Sequence, residues 1–182
     1  ALLMEQAFPK ALLTLIRKIG EEAAERSDRL YFVGGIVRDL LLGEAISDVD
    51  LVVEGDAIGL AEALTAHYGG EIRMHQRFGT AKWLLAPEVW RAAVSEISEP
   101  ELADLPAFID LVTARTEFYT RPTALPKVEW SSIKQDLHRR DFTINTLAIR
   151  LSPGHWGEML DFFGGKEDLE EGVIRVLHSL SF

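Results

Sequence analysis

The sequence predicts a mixed α/β domain, in which helices pack on a mixed or antiparallel sheet of about five strands. Three observations support this fold class. The 182 residues are 47% hydrophobic, which is enough for one globular domain with a substantial core. Segments with helical spacing of apolar residues alternate along the chain with short β-rich runs. Glycine turns separate these segments, and no internal repeat or low-complexity tract divides the chain.

The composition excludes several classes of protein. The 19 Lys and Arg residues against 29 Asp and Glu residues give a net charge of −10, so any contact with a polynucleotide must be local. The absence of cysteine excludes a disulfide scaffold, a thiolate zinc site and a cysteine nucleophile. No apolar run approaches the roughly 18 residues that a membrane-spanning helix needs. We therefore expect a cytoplasmic protein.

An N-terminal helix is predicted within residues 1–27, leading into a main domain over residues 28–180. Residues 8–26 carry apolar side chains at helical spacing, with charged side chains between them. This amphipathic pattern predicts one helix face packed on the domain and the other in water.

A strand, a glycine turn and a helix open the main domain. Residues 30–33 are apolar and β-rich, and they end at Gly34-Gly35. Residues 36–42 return to helical spacing and stop at Gly43. Later strands are predicted at residues 48–53, 71–75, 78–85, 108–115 and 173–177, and around a turn within 145–163. Later helices are predicted at residues 56–68, from Ser131 or Ser132 to Arg140, and as one turn at 168–172. Residues 87–106 fit neither period, and we predict an irregular excursion there.

Two acidic residues follow this first unit and could share a divalent cation. Asp48 and Asp50 are two residues apart in a predicted strand, so both side chains project from one face. Acid pairs at this spacing are common in an acidic chain, and a solvated strand face is the alternative explanation.

The context of the two acids favours a phosphate site. A triphosphate needs open backbone N–H groups, a cation and carboxylates that hold metal ions near its reacting phosphorus. The turn at Gly34-Gly35 lets a phosphate approach the backbone, and Arg38 supplies a cation shortly before the acids. The alternatives are a plain tight turn and an ion pair between Arg38 and Asp39.

These residues belong to a longer series of motifs. The series consists of GGIVRDLLLG at residues 34–43, DVDLVV at 48–53, RFGT at 77–80, DLVTARTE at 110–117, DLHRRDFTINTLA at 136–148 and DFFGG at 161–165. It resembles the signature of the bacterial CCA-adding enzyme and poly(A) polymerase family, which belongs to the polymerase-beta-like nucleotidyltransferases. The resemblance covers residues 28–180 and implies the catalytic head fold of that family.

The resemblance also implies the residues of an active site. The catalytic, metal-binding carboxylates would be Asp48 and Asp50, with Asp110 where the family supplies a third acid from a neighbouring strand. For Asp110, a surface acid at a strand end is the alternative. The residues implied for nucleotide binding are Gly34, Gly35, Arg38, Asp39, Arg139, Arg140, Asp141 and Asn145. Without the motif, the two adjacent arginines beside neighbouring acids would be interpreted as an ion-paired helix face.

The implied function is template-independent transfer of nucleotides from CTP and/or ATP to the 3′ end of tRNA, with release of pyrophosphate. Two Mg²⁺ ions are the expected cofactors. A poly(A) polymerase acting on RNA 3′ ends and an isolated NTP-binding head are the alternatives. Residues 127–150 hold five Lys and Arg against three Asp and Glu, so phosphate should be attracted there.

The sequence departs from the family at two residues and in the segments that it contains. Phe162 stands where proline is frequent, and Thr146 where alanine commonly follows Asn145. The acidic–basic cluster that selects the base, and the helical neck, body and tail domains, are not in this sequence. We therefore expect an excised catalytic head with weak or no activity of its own.

Overall fold

The structure is a computed structural model that describes residues 1–46, 48–118 and 127–178. In this part of the chain, eight α-helices and nine strands are present. The helices are α1 (Leu2–Ala7), α2 (Lys10–Glu25), α3 (Gly35–Leu42), α4 (Ala57–Tyr68), α5 (Pro87–Ala93), α6 (Glu99–Ala103), α7 (Ile133–His138) and α8 (Gly165–Glu170). The strands are β1 (Arg29–Val33), β2 (Asp50–Glu54), β3 (Glu71–His75), β4 (Thr80–Leu84), β5 (Phe108–Thr113), β6 (Arg115–Phe118), β7 (Lys127–Trp130), β8 (Leu147–Arg150) and β9 (Met159–Asp161). No helix of the described ranges is long and apolar enough to cross a membrane.

One mixed sheet organises the molecule. Its seven strands lie in the order β3-β4-β5-β2-β1-β8-β9, and β6 pairs with β7 in a separate two-stranded sheet. Strands β2 and β5 are parallel, whereas the other neighbours in the large sheet are antiparallel. The parallel register places Asp50 directly beside Asp110.

Helices cover one face of this sheet and form the main core. Alternation along β2 buries Leu51 and Val53 on that face, where α2 and α4 pack. Helix α4 begins at Asp56, whose carboxylate accepts the Gly59 N–H at 3.0 Å. The fully buried indole of Trp83 fills the space between β4 and α4.

Among the described residues, helix α7 covers the centre of the opposite face. Helix α7 places Ile133 and Leu137 against a small apolar cluster that includes Tyr31 and Val52. The helix begins with a capping box, because Ser132 and Gln135 satisfy each other's backbone N–H groups. Polar side chains surround this cluster, and the candidate site lies beside it.

Two predictions about elements were wrong in detail. The sheet has seven strands rather than five, because β1 also pairs with β8 and thereby recruits the short strands β8 and β9. Residues 87–106 form α5 and α6. Both helices are too short to show an apolar period, but Pro87 starts one and a Ser98–Glu101 capping box starts the other.

The first and last parts of the described chain show one agreement and one difference. Helix α2 matches the amphipathic helix predicted over residues 8–26, and Pro9 separates it from the short helix α1, since proline cannot continue the hydrogen bonding of a preceding helix. Residues 173–177, which were predicted as a strand, make one isolated β-bridge instead, between Phe142 and Val176.

Candidate active site

Three carboxylates gather in the middle of the sheet, where β2 begins. Asp50 and Asp110 are register partners on the parallel strands β2 and β5, and Asp48 lies just before β2 with its side chain exposed. On the far side of Asp110, the Lys82 Nζ atom lies 3.0 Å from Asp110 Oδ2. The same ammonium group lies 3.5 Å from the centroid of the Phe108 ring.

The surroundings of Asp50 disfavour a negative charge on its carboxyl group. Desolvation raises the pKa of its carboxyl group, and the neighbouring carboxylates of Asp110 and Asp48 raise it further. Lys82 lowers the same pKa by a smaller effect. A positive charge placed among these acids would therefore be stabilised.

The acids fit a metal ion, although they do not enclose one as they stand. Within residues 1–46, 48–118 and 127–178, no three His, Cys, Asp or Glu side chains form a group that could hold a metal ion. Asp110 is engaged by Lys82 instead. Asp48 and Asp50 line one cleft, and their oxygens are the ligands that Mg²⁺ prefers. These two residues could hold a divalent cation that Asp110 approaches.

A glycine turn between β1 and α3 forms the next wall of the site. Gly34 has φ 73° and ψ −122°, in the region of positive φ that favours glycine. A Cβ atom on Gly34 would lie 2.6 Å from the Arg140 Nη1 atom, so a side chain here would displace that arginine. The turn brings the first N–H groups of α3, at Gly35 and Ile36, to the cleft wall.

Arg38 lies on the other side of the turn. Its Nε and Nη2 atoms both donate to Asp39 Oδ1 at 2.8 Å, and its Nη1 atom donates to Asn145 Oδ1 at 3.0 Å. The Arg38–Asp39 pair weighed as an alternative is therefore formed. It fixes the guanidinium in a position that also reaches Asn145, so the pair and a binding role are compatible.

A buried carboxylate positions the two adjacent arginines. Asp136 on α7 is 1% exposed, and it accepts Arg139 Nε and Arg140 Nη2 at 3.0 Å each. It also accepts the backbone N–H of Arg115 at 3.2 Å. The Arg140 Nε atom is buried and has no hydrogen-bond partner among the described residues. The ion-paired helix face is present, and it holds both guanidinium groups at the site.

Two adjoining clefts result from this arrangement. The first, the acid cleft, has a volume of about 350 Å³ and is lined by Asp39, Asp48, Asp50 and Asp136 among others. The second, the arginine cleft, has a volume of about 540 Å³ and is lined by Gly35, Arg38, Arg139, Arg140, Asp141, Phe142 and Asn145. Gly35, Arg139 and Arg140 line both clefts. Acidic and basic groups thus face one continuous surface.

The structure brings most of the predicted site residues to these clefts. Gly34 contributes through its turn rather than as a lining residue, and Asp110 stands beside the acid cleft in its pair with Lys82. Lys82 was missed, although a lysine between Ala81 and the buried Trp83 in a strand-like run is a usable signal. Asp136 was considered only as an ion-pair partner, because its central position depends on tertiary packing.

Comparison with known proteins gives concordant results. A family model described as Poly A polymerase head domain matches residues 30–175. An A-adding tRNA nucleotidyltransferase of Geobacter sulfurreducens is 41% identical over 180 residues, which cover 99% of this chain and 18% of that protein. The corresponding protein of Halalkalibacterium halodurans is 40% identical over 180 residues, covering 99% of this chain and 38% of the relative. The chain therefore spans well under half the length of these relatives.

Solved structures agree with the sequence relatives. A CCA-adding enzyme in its apo form II has a TM-score of 0.81 and 43% identity, covering 99% of this chain and 38% of that one. The Thermotoga maritima CCA-adding enzyme complexed with tRNA has a TM-score of 0.74 and 39% identity, covering 99% and 36%. A CCA-adding enzyme complexed with CTP has a TM-score of 0.76 and 40% identity, with the same coverage. With most of its length matched by the family model, the chain belongs to the Poly A polymerase head domain family.

Proposed function

We propose that this chain is the head of a nucleotidyltransferase that adds nucleotides from ATP and/or CTP to the 3′ end of tRNA and releases pyrophosphate. The observation that carries the proposal is the junction of the acid cleft and the arginine cleft at Gly35, Arg139 and Arg140. A triphosphate that spans this junction has its phosphates beside the arginines and its reacting phosphorus beside the acids.

Mg²⁺ is the proposed cofactor, with two ions held by Asp48, Asp50 and Asp110. When bound, such ions lower the pKa of the attacking hydroxyl and neutralise charge on the departing pyrophosphate. Burial, and then the like charges of Asp110 and Asp48, raise the pKa of Asp50, and these unfavourable effects support a bound cation among the acids.

The chain's own groups position the triphosphate. Arg139 and Arg140 are held by the buried Asp136, so little side-chain entropy is lost when they contact phosphate oxygens. The N–H groups in the first turn of α3 have no partner inside the helix and suit an anion. Arg38 and Asn145, already hydrogen-bonded to each other, line the part of the arginine cleft that would receive the sugar.

The relatives support tRNA as the acceptor. The two sequence relatives described above are named A-adding tRNA nucleotidyltransferases, and one structural neighbour is complexed with tRNA. The CTP complex of another neighbour supports a pyrimidine triphosphate as a second possible donor. ATP is the donor that the names of the sequence relatives favour.

A single-turnover assay tests the proposal. The chain, in excess over RNA, is mixed with labelled ATP or CTP and tRNA transcripts that lack either the terminal A or the whole CCA end. We expect label from ATP to enter the transcript that lacks only A, in the presence of Mg²⁺ and not of EDTA. Asp48→Asn should abolish incorporation, because it removes a proposed metal ligand.

Arg140→Ala should weaken ATP binding by about 1–3 kcal/mol, the range for a charged contact to phosphate. Two control variants remove charge elsewhere: Asp104→Asn at the end of α6 and Arg91→Ala on α5 should both behave as wild type. Incorporation that persists in EDTA or in Asp48→Asn, or no labelled RNA from wild type, contradicts the proposal. Long adenylate tails on an unrelated RNA would instead favour a poly(A) polymerase.

A further inference from the structure

A row of charged side chains crosses the sheet and ends at the acids. Arg73 on β3 pairs with Lys82 on β4, Lys82 pairs with Asp110 on β5, and Asp110 pairs with Asp50 on β2. Directly paired residues project from the same face of a sheet. With strands about 4.8 Å apart, Arg73 lies roughly 14 Å from Asp50 along this row. Two cations thus lead from the sheet edge to two acids.

This face of β3 and β4 is continuous with the acid cleft. In the next row, His75 pairs with Thr80 and Thr80 pairs with Val112, which lines that cleft. Arg73 and His75 are exposed, and Lys82 is half-buried. The arginine cleft lies on the other side of the acids, beside β1 and β8. The acids therefore have a nucleotide cleft on one side and an open basic surface on the other.

Aromatic and basic side chains extend this open surface. The guanidinium groups of Arg77 and Arg115 lie 5.7 and 6.0 Å from the centroid of the Phe78 ring. Trp130, the register partner of Arg115, is 64% exposed. Its Nε1 atom lies 3.6 Å from the place that a Cβ on Gly79 would occupy. The exposed indole ring is unlike those of Trp83 and Trp90, which are buried in the core.

We propose that this surface, the β3–β4 track formed by Arg73, Arg77, Lys82, Arg115 and Trp130, binds the single-stranded 3′ end of the acceptor RNA. The inference rests on the proposed function. Arginine and lysine side chains attract the phosphates of a single strand, and an exposed tryptophan stacks on a base whatever its identity. The row then directs the terminal hydroxyl toward Asp110, from the side opposite to the nucleotide.

The chain's charge makes this assignment specific. With a net charge of −10, the protein repels RNA over most of its surface, so binding must use a local basic strip. On the β3–β4 face the acid Asp110 is already neutralised by Lys82, and Glu71 stands at the outer end of β3. The basic strip between them is bounded by acids at both ends, which limits the bound strand to a few nucleotides.

A resonance titration tests the proposal without needing turnover. Isotope-labelled chain is titrated with a short single-stranded RNA that ends in CC, and separately with ATP and Mg²⁺. We expect RNA to shift the Trp130 indole resonance and the amides of β3 and β4. ATP with Mg²⁺ should instead shift residues of α3 and α7. These two sets of shifts report the inference and the proposed function independently.

Two variants measure the contribution of the track. Trp130→Ala should weaken RNA binding about tenfold, the order expected for one base stack. Arg73→Ala should weaken it and reduce the slope of log affinity against log salt by about 0.7, as expected for one lost phosphate contact to a single strand. Neither variant should change the affinity for ATP with Mg²⁺. Arg91→Ala removes an exposed arginine from α5, a helix that packs on the main core. It should leave the affinity for RNA and its salt dependence unchanged.

The proposal is overturned if RNA shifts only the resonances of residues outside the track, or if it shifts no resonance. It is also overturned if both variants bind RNA with the wild-type affinity. A track that serves a protein partner would give the second of these results. If ATP with Mg²⁺ leaves α3 and α7 unshifted, the proposed function fails. If ATP shifts them and RNA binds elsewhere, only the track is wrong.

Discussion

The folded structure disfavours the ionised form of the Asp50 carboxyl group. Its carboxyl group is partly desolvated where β2 begins, and Asp110 and Asp48 add like charge. Its pKa is therefore raised above the ordinary value of 3.8. Above that raised pKa, the ionised carboxylate destabilises the folded chain relative to the unfolded one.

We expect Asp50→Asn to melt at a higher temperature than wild type at neutral pH in EDTA, because the repulsion is removed. The gain should shrink as the pH falls through the raised pKa, where the wild-type carboxylate takes up a proton. Mg²⁺ should raise the Tm of wild type and leave that of the variant unchanged. Thermal melts at neutral and acidic pH, with EDTA or Mg²⁺, measure these effects.

The matched control is Asp104→Asn, an exposed acid at the end of α6 that should melt as wild type does. A Tm of Asp50→Asn below that of wild type in EDTA would show that this carboxylate stabilises the fold. An equal rise with Mg²⁺ in both proteins would remove Asp50 from the metal site.

Sequence reasoning predicts the relation between two residues well when they are close in the sequence, and poorly when they are far apart. The two-residue period of a strand, a local property, predicted Asp48 and Asp50 on one face, although β2 begins only at Asp50. The contact of Asp50 with Asp110 needs the parallel register of β2 and β5, and local periodicity does not specify it. The motif resemblance suggested Asp110, but its ion pair with Lys82 came only from the structure.

At the scale of elements, residues 173–177 after α8 form hydrogen bonds with residues 141–143 after α7, and we call this contact the brace. The Thr143 N–H donates to Arg175 O at 3.0 Å, and the Leu177 N–H donates to Asp141 O at 2.7 Å. Asp168 on α8 accepts three hydrogen bonds from Arg175 and one from Thr143 Oγ1 at 2.6 Å. The segment therefore holds the backbone next to the arginine cleft.

Asp168→Asn should loosen this brace and lower the Tm at neutral pH. Hydrogen bonds from Arg175 and then from Thr143 hold the pKa of Asp168 below its ordinary value of 3.8. Because the folded-state pKa is lowered, the stabilisation is fully present above pH 3.8 and is lost as the pH falls through the lowered pKa. Melts over an acid series should show the difference between wild type and variant shrinking toward low pH.

Glu88→Gln changes an exposed acid in the first turn of α5 and serves as the control. It should follow the wild-type curve at every pH. A difference for Asp168→Asn that grows on acidification would contradict the brace, since a protonated Asp168 can no longer pair with Arg175 as a carboxylate.

Element boundaries were predicted best where a specific residue sets them. Gly43 ends α3 and Asp56 begins α4, as their conformational and capping properties predict. The helices α5 and α6 were missed because neither is long enough for an apolar period. The capping box at Ser98 was present in the sequence and was the usable signal.

At the scale of the whole molecule, the main core lies on one face of the sheet, and the opposite face carries α7 and the acid cleft. The sheet places its acids near the middle of the strand order, with the arginine cleft toward β8 and the basic track toward β3. Most residues that line the two clefts belong to a few short motifs, so the sequence could name them without showing that they meet. The track joins two strand pairs, β3 with β4 and β6 with β7, and tertiary packing brings Trp130 on β7 to the Gly79 turn before β4.

The most direct test of a metal-dependent nucleotide site is calorimetric titration of the chain with ATP, first with Mg²⁺ and then with EDTA. We predict binding that requires Mg²⁺ and that is lost in Asp50→Asn, while Asp104→Asn binds as wild type does. Binding of equal affinity in EDTA, or in the variant that lacks the Asp50 carboxylate, would contradict a site built jointly from the acids and the arginines.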